Sequence, residues 1–231
     1  MKKYTILLFL LLLGAGASGQ QVLSDTTLIV NGHPYRFLTT YTYDDGNTTL
    51  TIFHNSKIAK TAQLDIEGLP NVTYPDFNSD GNNDILISSF GMYNQYELYL
   101  YDELSNSYRL VDDNNRFPSA KQLGTNPGYY YSYQATGCAD MYWVSSLFFI
   151  KDFRAIPVGK ILGNCCGGPP NSDPKDYPLV ISIYKIANDG SSERLVPIEE
   201  LPYHECIPNF EDKWNFIEKY WNKNYKKYAD E

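Results

Sequence analysis

Apolar and polar residues alternate along most of the chain, which is the pattern of β-strands. In YELYLY, residues 96–101, the side chains of Tyr96, Leu98 and Leu100 lie on one side of the strand and the other three on the opposite side. Other short runs rich in Thr, Tyr, Ile and Val predict strands at Leu28–Val30, Arg36–Tyr43, Thr48–Phe53, Ile85–Ser88, Tyr129–Gln134, Trp143–Ile150, Ile156–Leu162 and Leu179–Ile186. We therefore predict a mainly β fold of antiparallel sheets, arranged as a sandwich or in a propeller-like way.

Turn-forming residues separate these runs. The segment YDDGNTT, residues 43–49, places Asp-Gly between two predicted strands, and this pair favours a tight hairpin turn. The segment GNCCGGPPNSDPKD, residues 163–176, is the best candidate for a break between domains. Its two cysteines instead favour a loop that disulfides hold in place.

The end of the chain has a helical period. Large apolar residues recur every three or four positions after Pro208, at Phe210, Trp214, Ile217, Trp221 and Tyr225. Asn209 can cap the start of a helix, and the lysines near its end suit the helix dipole. We predict one amphipathic helix over residues 209–231. We expect its aromatic face to pack on the protein's own sheet, with a partner surface as the alternative.

The first nineteen residues resemble a secretory signal peptide. Lys2 and Lys3 are followed by the apolar run Ile6–Leu13 and by small residues such as Ala17. Cleavage near Gly19–Gln20 would release a periplasmic or secreted protein. The apolar run is shorter than the roughly 20 residues that a membrane span needs, so we expect no membrane-spanning segment.

The remaining residues predict one calcium-binding β domain over 20–208, with the helix of 209–231 packed on it. The full chain has 19 basic and 27 acidic residues, a net charge of −8. Without the two leader lysines, the net charge of the remainder is −10. Such a surface disfavours nucleic acid as a partner and favours cationic proteins and divalent cations. The alternative is that the acidity only confers solubility.

One polar loop carries the clearest chemical signal. In DFNSDGNND, residues 76–84, every second position is an acid or an amide: Asp76, Asn78, Asp80, Asn82 and Asp84. All but Asn82 can offer side-chain oxygens, Asn82 can offer its carbonyl, and Gly81 permits a sharp bend. Ca²⁺ takes six to eight such oxygens, so we predict a calcium site. A solvated turn rich in Asp and Asn is the alternative. An EF-hand is disfavoured because its bidentate glutamate would fall at Ile87.

The loop resembles the calcium loops of FG-GAP or integrin-like repeats, D-x-[DN]-x-D-G-x-x-D, which lead into a strand. The region of residues 70–112 is also similar to exported proteins related to the lysozyme-inhibiting immunity proteins of bacteria-killing secretion systems. The matching elements follow in order: the loop, the strand Ile85–Ser88, the turn Gly91–Asn94, the aromatic strand Tyr99–Asp102 and the short strand Ser107–Val111. This resemblance implies an all-β fold with bound calcium, and inhibition of a cell-wall hydrolase of lysozyme type.

A glycan- or surface-binding module stabilised by calcium is the alternative function. The tyrosine-rich stretch GYYYSYQATGCADMYW, residues 128–143, could stack on sugars, although tyrosines of this kind also occur within sheets. Catalysis is not expected. The chain has three histidines but no H-E-x-x-H motif, and G-x-S-x-G is absent. The sequence does not exclude a catalytic pair of carboxylates of the glycosidase type.

Four cysteines remain, at Cys138, Cys165, Cys166 and Cys206. Export permits disulfides, and neighbouring cysteines rarely bridge each other. We therefore predict two structural disulfides that join Cys138 and Cys206 to Cys165 and Cys166, in either order. A zinc site is the alternative, but C-x-x-C and paired histidines are both missing.

Overall fold

The computed structural model describes residues 19–66, 69–89, 95–167, 173, 175–176, 178–188 and 193–229. Residues 1–18 of the predicted signal peptide and the predicted turn Gly91–Asn94 lie outside the described residues. The described chain is mainly β, with antiparallel sheets and one longer helix near its end, which confirms the predicted fold class. No helix among the described residues has both the length and the apolar character needed to cross a membrane.

The first sheet is a four-stranded antiparallel meander. Its strands, in spatial as well as chain order, are β1 (Gln20–Val30), β2 (His33–Thr42), β3 (Asn47–His54) and β4 (Lys57–Leu64). The predicted YDDGNTT hairpin is confirmed, because Thr42 pairs with Asn47 across it. Gly46 in this turn has a φ of 69°, which a residue without a Cβ adopts at little cost.

The second sheet lies between the other two. Its strands are β5 (Asn71–Thr73), β6 (Ile85–Ser89), β7 (Gln95–Asp102) and β8 (Ser107–Leu110). The predicted alternation of β7 is present, and both of its faces are buried. Tyr99 and Tyr101 pack in a core with the first sheet. Leu98 and Leu100 pack in a core that includes Phe148 of the third sheet. Burial on both sides explains why this strand is rich in aromatic residues.

The third sheet has seven strands. They are β9 (Lys121–Leu123), β10 (Asn126–Tyr131), β11 (Gln134–Gly137), β12 (Tyr142–Lys151), β13 (Arg154–Asn164), β14 (Val180–Asn188) and β15 (Glu193–Pro202). The spatial order is β15-β14-β13-β12-β10-β9, and β11 also pairs with β12. One predicted strand, Tyr129–Gln134, is in fact divided between β10 and β11.

Two helices cover the outer face of the third sheet. The short α1 (Tyr203–Cys206) is followed by α2 (Lys213–Asn224), which has one 3₁₀ turn at each end. Ile217 and Trp221 are fully buried against the sheet, and the Trp221 indole nitrogen donates to Ser145 Oγ at 2.9 Å. The predicted amphipathic helix is therefore confirmed, although the α-helix is shorter than the predicted range of residues 209–231, and its aromatic face packs on the protein's own sheet.

In the described residues, three sheets and one layer of helices are thus stacked in four layers, where the sequence predicted a sandwich or a propeller-like arrangement of sheets. The strands that the sequence patterns did not predict include β4 and β15, which form sheet edges. Edge strands expose much of their surface, so polar residues occur on both of their faces. The alternation of apolar and polar residues is therefore weak in these strands.

Candidate functional site

The predicted calcium loop joins β5 to β6. It turns back on itself, so that the Asp84 amide donates to the Pro75 carbonyl at 2.7 Å. Ser79 and Gly81 adopt left-handed conformations, with φ of 60° and 89°. Glycine and small polar residues tolerate this region, which is the physical reason for the NSDG sequence at the bend.

Three of the predicted ligands converge inside the bend. The Asp80 amide donates to Asp76 Oδ1 at 3.0 Å and to Asn78 Oδ1 at 3.2 Å. The Gly81 amide donates to Asp76 Oδ2 at 3.1 Å. The Asn78 side-chain amide donates to Asp80 Oδ2 at 2.8 Å. The structure therefore brings Asp76, Asn78 and Asp80 together on the exposed side of the loop.

Asp84 lies on the buried side of the loop. Its side chain is fully buried, and its two oxygens accept backbone N–H groups of Phe77 and Tyr101, each at 2.9 Å. Burial raises the pKa of Asp84 to about 6, the two backbone donors oppose this shift, and the charge of Asp80 adds to it. Asp84 thus ties the loop to β7, a structural role that the sequence alone did not indicate.

Asn82 turns its side chain away from the bend. Its Oδ1 accepts from the Asn31 amide and its Nδ2 donates to Glu103 Oε1, each at 3.1 Å. Asn82 is buried and connects the loop to the β1–β2 turn. That Asn82 offers its backbone carbonyl to a cation stays a prediction.

The donor set suits a hard cation, although the side chains are not arranged as a ready metal centre. Among the described residues, no three His, Cys, Asp or Glu side chains are grouped in a way that could hold a metal ion. The carboxylates of Asp76 and Asp80 accept N–H groups of the loop's own backbone instead. Their oxygens are the type that Ca²⁺ prefers. Ion binding would therefore require these two carboxylates to exchange backbone partners for the cation.

Two contacts with the third sheet position the loop. Ser79 Oγ donates to Gln122 Oε1 at 2.8 Å, and Gln122 Nε2 donates to the Asn78 carbonyl at 3.3 Å. The Phe77 ring stacks on Tyr130 with centroids 5.0 Å apart. Sequence reasoning missed Gln122, because it lies more than forty residues from Ser79 and Asn78 along the chain and no local pattern marks it.

A cleft lined by carboxylates lies near the junction of the first and second sheets. It has a volume of about 280 Å³, and its lining includes Asp65, Glu97, Asp112 and Asp113 but no Lys, Arg or His among the described residues. Glu97 accepts from the Asp65 amide and from the Tyr99 hydroxyl, each at 2.8 Å. Of the four acids, Asp113 forms an ion pair with Arg154.

The cysteine prediction needs a correction. Cys138 and Cys166 form a disulfide with their Cα atoms 6.1 Å apart, which is one of the predicted pairs. The second predicted bridge is absent, because Cys165 and Cys206 are free thiols. The two thiols line different pockets. Cys206 borders a groove beside α2, and Cys165 borders a pocket at the end of β13.

The tyrosine-rich stretch of residues 128–143 is partly buried, and its residues 134–137 are exposed. Tyr130, Tyr131 and Trp143 are buried in two cores of the third sheet. These three are therefore core residues, whereas Tyr129, Tyr133 and Tyr142 are half-buried, and the glycan-binding alternative stays a prediction.

Comparisons with known proteins add little to this geometry. No family model matches the chain, and no curated protein matches it. Among solved structures, the chain is similar to a Xanthomonas Type IV secretion system related protein, with a TM-score of 0.41 and 13% identity over 78% of this chain and 94% of that one. A likeness this distant carries no conclusion about binding or activity.

Proposed function

We propose that this chain is an exported β protein that binds Ca²⁺ in the loop of residues 76–84 and works by binding a cationic partner. The observation that carries the calcium proposal is the convergence of Asp76, Asn78 and Asp80 within one bend. The leader-like first nineteen residues support export to the periplasm or the medium.

The electrostatics of the loop support a bound cation. Burial is the main cause of the raised pKa of the Asp84 carboxyl, and repulsion between Asp84 and the exposed Asp80 carboxylate adds to it. A dication beside them would offset this repulsion and leave a site with a net charge of −1. The chemistry that calcium supplies here is structural, since it would fix the loop between β5 and β6. Affinity on the order of 10⁻⁴ M or tighter is typical of extracellular calcium sites.

The acidic cleft supports a cationic partner. Asp65 and Asp112 are exposed at its rim, and Glu97 is half-buried within it. A Lys or Arg side chain entering the cleft would meet several carboxylates at once. Cell-wall hydrolases of lysozyme type are basic proteins, and the resemblance of residues 70–112 to lysozyme-inhibiting immunity proteins points to the same class of partner. We therefore propose inhibition of such a hydrolase as the function.

The test is a binding and inhibition assay with a basic lysozyme, in calcium and in chelator. We expect inhibition in calcium and an association rate that falls as salt rises, since screening shortens to about 8 Å at physiological ionic strength. Asp65→Asn combined with Asp112→Asn should weaken binding. The matched control is Asp176→Asn combined with Glu211→Gln, which removes the same charge elsewhere on the exposed surface. Equal weakening by both pairs, or no binding to any basic hydrolase, would contradict the proposal.

A further inference from the structure

Three side chains with soft or borderline metal-binding atoms line one pocket at the end of the third sheet. They are the thioether of Met141, the thiol of Cys165 and the imidazole of His204. The pocket has a volume of about 400 Å³, and the rest of its lining is mostly apolar. The three residues come from separate segments: the turn before β12, the end of β13 and the helix α1.

Backbone pairing places Met141 and Cys165 opposite each other. The Cys165 amide donates to the Met141 carbonyl at 3.1 Å, one step beyond the register pair Tyr142 and Asn164. Residues directly opposite on antiparallel chains project their side chains to the same face. The disulfide of Cys166 holds the same end of the sheet. Met141 and Cys165 therefore lie opposite each other at the open end of the β12–β13 hairpin, and both line the pocket.

A buried chain of hydrogen bonds is directed at the thiol. The Trp143 indole nitrogen donates to the Tyr203 hydroxyl at 3.3 Å, and that hydroxyl in turn hydrogen-bonds to the Cys165 sulfur. Both rings are buried. A donor directed at a sulfur fixes its position, as outer-shell partners do in known metal sites.

The helix α1 brings the imidazole to the same pocket. His204 follows Tyr203 directly, and the two ring centroids are 5.8 Å apart. The Tyr203 amide donates to the Leu179 carbonyl at 3.1 Å, and the Ile207 amide donates to the Tyr203 carbonyl at 2.8 Å. The first bond attaches the start of the short helix to the segment before β14, and the second is the helix's own hydrogen bond, so His204 lies on a hydrogen-bonded backbone.

We propose that this pocket binds a soft monovalent cation of the Cu(I) or Ag(I) class through Met141 Sδ, Cys165 Sγ and one ring nitrogen of His204. Thiolate and thioether ligands select Cu(I), and imidazole also suits copper, whereas hard cations such as Ca²⁺ prefer oxygen. On binding, the Cys165 S–H bond is replaced by a sulfur–metal bond and its proton passes to solvent. The metal keeps its oxidation state, and no electron is transferred.

The second free thiol provides a matched control. Cys206 also belongs to α1, but it borders the groove beside α2, and the described lining of that groove contains neither methionine nor histidine. Cys206→Ser therefore removes one thiol from the helix that carries His204, without removing a proposed ligand.

The experiment titrates the full chain, with its disulfide intact, with Cu(I) supplied anaerobically as an acetonitrile complex and without reductant. A chromogenic Cu(I) chelator competes for the metal. We expect one Cu(I) per chain to be withdrawn from the chelator, and X-ray absorption to show two sulfur ligands and one nitrogen ligand. Cys165→Ser should abolish this competition. Met141→Leu and His204→Gln should each weaken it by about tenfold or more. Cys206→Ser should bind like the unaltered chain.

Three results would overturn the proposal: no competition by the unaltered chain, equal loss in Cys206→Ser and Cys165→Ser, or unaltered binding in both Met141→Leu and His204→Gln. Thermal melting of each variant separates loss of metal from loss of fold. Met141→Leu conserves volume and should fold normally, so its metal affinity stays informative even if Cys165→Ser is unstable.

Discussion

The indole of Trp143 lies against Gly163, its register partner on the neighbouring strand, so closely that a Cβ on Gly163 would fall 2.0 Å from ring atom Cε2. Trp143 is 1% exposed and anchors the core between the third sheet and the helices. A residue at position 163 must therefore lack a side chain, because backbone pairing fixes the strand and close packing fixes the ring.

Gly163→Ala should destabilise the protein through this overlap. Overpacking of a core costs about 1–3 kcal/mol, and we expect at least the upper end here because the ring has little room to move. Urea unfolding measures the change. Gly124→Ala is the control, since a Cβ there would lie at an ordinary 3.5 Å from Asn222 Oδ1. Equal stability of the two variants would contradict the packing account.

Asp140→Ala should destabilise the protein more than its partly exposed position suggests. Lys213, which is 4% exposed, makes an ion pair with Asp140, and the Tyr133 hydroxyl donates to the other carboxylate oxygen. Removing the Asp140 carboxylate takes this ion-pair partner from the buried Lys213 ammonium group, at a cost of about 3 kcal/mol. Adding Lys213→Met should restore part of the loss. A double-mutant cycle with purely additive changes would show that the pair is not coupled.

Alkaline pH should destabilise the fold through its buried tyrosines. Burial raises the pKa of Tyr35 and of Tyr130 from 10.0 to about 12. Between these values the unfolded chain loses phenol protons that the native chain keeps. The native state then binds more protons, so the free energy of unfolding falls as pH rises, by up to about 1.4 kcal/mol per pH unit for each such residue.

Urea unfolding from pH 8 to 11 measures this fall, and absorbance at 295 nm follows phenol ionisation. We expect part of the tyrosine signal to appear only as the protein unfolds. A single ionisation step near pH 10 with the native circular dichroism retained would show that the tyrosines are accessible.

Thiol titration of the denatured, unreduced chain should detect two thiols, from Cys165 and Cys206, and four after reduction. The reason is that Cys138–Cys166 is the disulfide of the structure, while the two free thiols face different pockets. Finding no thiol before reduction would mean that a second bridge forms in the exported protein.

Local patterns made part of this structure predictable. The alternation in YELYLY predicted β7, and the four-residue spacing of Ile217 and Trp221 predicted the face of α2 that is buried. The loop of residues 76–84 could be recognised because all of its polar groups lie in one short segment.

Features that depend on distant residues could not be read in this way. Asp84 accepts a hydrogen bond from the backbone of β7, and Gln122 of the third sheet donates one to the backbone of the loop. The thioether, thiol and imidazole of the soft-metal pocket come from three segments that only the folded chain brings together. The disulfide connectivity was open for the same reason.

Calorimetric titration of the chelator-treated protein with Ca²⁺ tests the central claim most directly. We expect one ion per chain with a Kd on the order of 10⁻⁴ M or tighter, and a rise in melting temperature in calcium. Asp80→Ala removes a central loop carboxylate and should abolish both effects, whereas Asp44→Ala, an exposed acid in the β2–β3 turn, should leave both unchanged. Absence of calcium binding by the unaltered protein, or unaltered binding by Asp80→Ala, would contradict a calcium site in this loop.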